Sequence, residues 1–109
     1  MATKVTIHFR DERVDRATYI SQTVGFGAVV NRAEYFNRDG MFSVMEVIET
    51  GVVVIRGNVN QLVTMYIARP EQLVEIYKQN RWGRVPMWLM NKAKKNWQKG
   101  YTKNQPDYH

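Results

Sequence analysis

The sequence predicts an α+β fold. The expected domain is an antiparallel β-meander of four to five strands with two C-terminal helices packed on one face. Three observations carry this expectation. Between residues 28 and 68, short apolar or alternating runs are separated by turns rich in Gly, Asn and Asp. After Pro70 the apolar spacing changes to a helical one and keeps it to Gly100. The chain has 109 residues, 44% hydrophobic and 24% charged, which suits one domain with one core.

Each element has its own signal. In residues 4–10, Val5, Ile7 and Phe9 alternate with Lys4, Thr6, His8 and Arg10, as in a half-buried strand. Residues 11–24 read as a short helix with Val14, Ala17 and Ser21 inward, although Thr18–Val24 also has strand character. Gly25-Phe26-Gly27 ends that segment. Residues 28–36 and 41–48 form a strand pair around Asn37-Arg38-Asp39-Gly40, whose Asp-Gly suits a tight hairpin. Glu49-Thr50-Gly51 turns the chain into the apolar run Val52–Ile55, which suits a central strand covered on both faces or one covered by a second subunit. Gly57–Asn60 turns again, and Leu62–Ala68 completes the meander.

Pro70 suits a first helical position, and Leu73, Ile76 and Tyr77 make the inward stripe of that helix. Glu71 and Lys78 lie at the ends that favour their charges. A second helix runs from Pro86 to Lys99, with Met90, Ala93 and Trp97 expected inward beside Leu89. Trp88 is also expected in the core. Gly100 suits a C-terminal cap. The domain is drawn as residues 1–100, followed by a flexible polar tail over 101–109. Met41, Met45 and Met65 are expected to fill gaps in the core.

Charge is segregated along the chain. Residues 1–77 hold eight basic and nine acidic side chains, whereas residues 78–109 hold eight basic ones and the single acid Asp107. That places +7 of charge in the last third of a protein with net charge +6. Lys92, Lys95 and Lys99 line one face of the second helix, with Lys94 broadening the row. Such a row can displace the counterions condensed on a phosphate backbone. Lys78, Arg81 and Arg84 extend the basic region, and Trp82 is the candidate for stacking on an unpaired base.

Other chemistries find less support. The absence of cysteine excludes disulfides, thiolate metal sites and a cysteine nucleophile. Gly25-Phe26-Gly27-Ala28-Val29-Val30 begins like a dinucleotide fingerprint but has Val30 where the third glycine belongs, and a strand follows. His8 and His109 have no second ligand at a metal-binding spacing. Glu46 and Glu49, three apart on a strand, point to opposite faces and do not share a metal. They are expected to solubilise the outer face of a sheet whose helices lie on the other side, with Arg32 or Arg56 as ion-pair partners. No cofactor and no metal are expected.

No apolar run reaches the roughly 20 residues that span a bilayer. Met1–Val5 lacks a signal-peptide pattern, so the expected compartment is the cytoplasm. The leading functional expectation is a non-enzymatic module that binds DNA or RNA through Lys92, Lys94, Lys95, Lys99, Arg81, Arg84 and Trp82. The alternative is a small interaction or assembly protein, like a phage accessory protein, meeting an acidic protein partner or forming a homodimer. A small ribonuclease acting through positioned cations is the lesser alternative.

Overall fold

The computed structural model describes residues 14–57 and 62–103. The strand expected at 4–10, His8, His109 and most of the Gly57–Asn60 turn lie outside the described residues. The elements run α1 (Val14–Thr23), β1 (Val29–Phe36), β2 (Phe42–Ile48), β3 (Val52–Arg56), β4 (Leu62–Ile67), α2 (Pro70–Gln79) and α3 (Met87–Gln98). The four strands form one antiparallel sheet in the order β1-β2-β3-β4, as the meander predicts.

Local chemistry shapes the turns. Asn37 organises the β1–β2 hairpin, its Oδ1 accepting from the N–H groups of Asp39 and Met41, both at 2.9 Å. Gly40 takes φ 76°, which closes the loop before Phe36 pairs with Phe42. At the start of α2 the Gln72 side chain reaches back to the Arg69 N–H at 2.8 Å. The dipeptide Arg69-Pro70 therefore starts this helix without a Ser or Asp cap.

The sheet carries helices on both faces. Val47, Val53, Tyr66 and Ala68 meet Leu73, Ile76 and Tyr77 of α2 and Leu89 and Ala93 of α3. On the opposite face Ile48, Val52, Val54, Met65 and Ile67 meet Ile20 of α1. The alternation along β3 explains the apolar run, since Val53 serves one core and its neighbours the other. The cover of Val52–Ile55 is thus intramolecular, and a second subunit is not needed for it.

The two C-terminal helices do share one face. Expectation and structure differ in three details. First, α1 turns Arg16 and Ile20 inward and leaves Ser21 exposed. The face opposite the C-terminal helices is therefore not a bare polar surface. Second, among the three methionines only Met65 is buried and Met45 half-buried, while Met41 stands exposed on the hairpin. Third, Tyr101 and Thr102 belong to the fold. The Tyr19 hydroxyl donates to the Tyr101 carbonyl at 2.9 Å, Tyr101 packs beside α1, and Thr102 is buried. The chain end after α3 thereby links the two helical layers.

Candidate nucleic-acid interface

The phase of α3 decides what this region displays. Its buried residues are Leu89, Ala93 and Asn96. Against the expected stripe of Met90, Ala93 and Trp97, the helix is rotated by about 65°, at about 100° per residue. The reason is a polar contact. Asn96 Nδ2 donates to the Thr50 carbonyl at 3.0 Å, tying α3 to the β2–β3 turn. A hydrophobic pattern assigns a buried asparagine to the outer face, so the pattern misplaced the helix.

Gly51 makes that approach feasible. It takes φ 91°, and a Cβ there would lie 3.0 Å from Asn96 Nδ2 and 3.9 Å from Lys92 Cγ. The same contact sets Lys92 beside the turn. Its flank of the helix, not the outermost line, faces the end of the sheet.

The rotation expels two tryptophans expected in the core. Trp88 is 50% exposed and Trp97 56%. They leave the helix on opposite flanks, being nine residues apart, or two and a half turns. Trp88 shares its flank with Lys92, Lys95 and Lys99, at spacings of four, seven and eleven residues. Trp97 stands with Met90 and Lys94 on the other flank. Lys94 thus widens the basic surface without joining the row.

All four lysines of this region are exposed. Among the described residues none of them forms an ion pair. The described glutamates are engaged elsewhere. Glu34 pairs with Arg32 at 2.8 Å, Glu46 with Arg56 at 2.9 Å and Glu71 with Arg69 at 3.1 Å. Glu49 accepts from the Ala28 N–H at 2.7 Å, and Glu75 from Gln79. Glu46 and Glu49 thus hold separate partners. Among the described residues no acidic side chain pairs with the positive row on α3. Lys99 has an aromatic neighbour, with its Nζ 5.9 Å from the Tyr101 ring centroid.

Trp82 occupies a different position from the one foreseen. It is half-buried, packed on the core, with its ring edge-on to Tyr77 at a centroid distance of 5.2 Å. The cap of α2 explains this. The Trp82 N–H donates to the Tyr77 carbonyl at 3.0 Å and the Arg81 N–H to that of Lys78 at 3.2 Å. This is a Schellman closure, and Trp82 supplies the apolar contact that accompanies it. Arg81 sits at the left-handed position, φ 57°, where glycine is usual. Arg81 and Arg84 are both exposed, in the loop that leads to the Trp88 end of α3.

The described ionisable groups with displaced pKa values are all tyrosines. Burial pushes the Tyr66 hydroxyl up to about 12, and neighbouring Tyr35 adds to the rise. Burial also raises Tyr35, against an opposing hydrogen bond from Ser43, and raises Tyr77, whose hydroxyl donates to Asn31. These shifts keep the phenols protonated at neutral pH, away from the range useful for proton transfer there. Among the described residues no three His, Asp or Glu side chains converge as metal ligands, and no helix is long and apolar enough to cross a membrane.

Comparison with protein-family models, with curated proteins and with solved structures finds no match for this chain.

Proposed function

We propose that this protein is a nucleic-acid-binding module whose contact surface is the lysine row of α3 with the preceding loop. The observation that carries the reading is the row Lys92, Lys95 and Lys99, exposed on one helix flank and without an ion-pair partner among the described residues, while the described glutamates are engaged elsewhere. Phosphates supply a counter-charge to the row, and releasing their condensed cations drives the association. Lys94, Arg81 and Arg84 extend the field around the row. Lysine presents point charges on flexible stems, which suits backbone contact better than base-edge readout.

Fluorescence anisotropy with labelled duplex DNA, single-stranded DNA and RNA over a salt series tests this. About five phosphate contacts give a slope of log affinity against log salt near −4 to −5 on duplex DNA. Replacing Lys92, Lys95 and Lys99 together by Gln should lower that slope by about 2.7. Unchanged binding in the triple variant overturns the assignment.

One observation favours a protein-binding surface as a second reading. Among the described residues β1 pairs on one side only, and its hairpin end exposes Phe36 (73%) and Met41 (56%). An open edge with an apolar tip can accept a partner strand. Capture of one stoichiometric protein after nuclease treatment, abolished by Phe36→Ser, supports that reading. Recovery of nucleic acid alone counts against it.

A further inference from the structure

We infer that the α3 surface takes single-stranded rather than duplex nucleic acid. An unpaired base stacks on the Trp88 indole, and the adjoining phosphates lie on Lys92, Lys95 and Lys99. This rests on the nucleic-acid reading above and names its substrate class.

Two independent features meet on one flank. The first is the lysine row, exposed and without an ion-pair partner among the described residues. The second is an indole half open to solvent at the head of that row. A side chain of this size ordinarily serves a core or an interface. Trp88 stands outside the buried set of α3, because the Asn96–Thr50 contact sets the helix phase. Its open half therefore faces the same ligand as the lysines. From Trp88 to Lys99 the row runs about 16 Å along the helix axis.

The chemistry of the two polymers separates here. A duplex offers the lysines its phosphates, but its base faces are stacked on one another and closed to an indole. A single strand offers both phosphates and free base faces. Stacking is tolerant of sequence because every base has a π-face. Lysine stems are flexible enough to follow an irregular backbone. The surface should accordingly bind single strands of varied sequence.

Trp97 provides an internal control. It lies on the same helix with similar exposure but on the opposite flank, away from the row. The experiment is anisotropy with labelled oligo(dT), oligo(rU) and a hairpin duplex, using the full chain and its Trp88→Ala, Trp88→Phe and Trp97→Ala variants. Single strands should bind more tightly than the duplex. Trp88→Ala should weaken single-strand binding by roughly 5- to 100-fold and duplex binding by under about twofold. Trp88→Phe, which keeps a ring and guards against a folding artefact, should retain most of the affinity. Trp97→Ala should stay within about twofold on every probe.

Equal affinity for single strand and duplex, with Trp88→Ala neutral, overturns this inference and leaves the nucleic-acid reading standing. Losses in Trp97→Ala equal to those in Trp88→Ala overturn the assignment to one flank. Absence of binding to all three probes overturns both readings.

Discussion

Replacing Asn96 tests the contact that sets the whole display on α3. In the structure its side chain is buried and donates to the Thr50 carbonyl at 3.0 Å. Asn96→Ala removes a hydrogen bond contributing about 1 kcal/mol and leaves that carbonyl unpaired, at a further cost of about 1–3 kcal/mol. Thr50 is only half-buried, so water relieves part of the second contribution. The expected total is about 2 kcal/mol. For a domain of this size that lowers the melting midpoint by roughly 8–16 °C. Asn96→Leu is the sharper substitution. It would complete an apolar stripe with Leu89 and Ala93, and burial alone would then favour the folded state. The unpaired carbonyl instead predicts a loss of about 1–2 kcal/mol. Urea denaturation followed by far-UV circular dichroism measures both, with the slope expected to hold and the midpoint to fall. A stabilising Asn96→Leu, or an Asn96→Ala cost below about 0.5 kcal/mol, would refute the claim that a polar contact sets the helix phase.

Further outcomes follow from other contacts. Leu89→Ala, at a fully buried position between α3 and the sheet, should cost about 2–5 kcal/mol in the same titration. Tyr66 has its pKa raised from 10 to about 12, so its contribution is complete below pH 10 and fades as pH rises toward 12. That amounts to about 3 kcal/mol. A Tyr66→Phe variant should show a flatter stability profile across that window, and an unchanged profile would contradict it. Gly100 closes α3 at φ 80°, with its N–H donating to Trp97 and the Tyr101 N–H to Asn96. Gly100→Ala should lower stability by about 1 kcal/mol in a thermal melt. Arg81 holds the matching position on α2, so Arg81→Gly should raise stability by about 1 kcal/mol while weakening nucleic-acid binding in the anisotropy titration.

Much of the architecture was legible in the chain because local chemistry specifies it. The strand runs between residues 28 and 68, the loop built on Asn37 and Gly40, Pro70 at the head of α2 and Gly100 at the end of α3 each answer to interactions within a few residues. The charge asymmetry was equally plain, since it requires only counting. Trp88 could have been found the same way, because it lies four, seven and eleven residues before the three lysines. Burial tendency taken one residue at a time instead places a tryptophan in the core.

The rotation of α3 answers to a partner 46 residues away. Asn96 meets Thr50 only after the β2–β3 turn has formed and Gly51 has left room for the approach. No hydrophobic period contains that contact, because the period treats asparagine as an outward residue. The same holds for Trp82, drawn inward by the Tyr77 ring in the cap of α2, and for Tyr101, held by the Tyr19 hydroxyl across the fold. Local spacing made a basic helix and a sheet. Long-range polar contacts chose which side of that helix, and which tryptophan, the solvent meets.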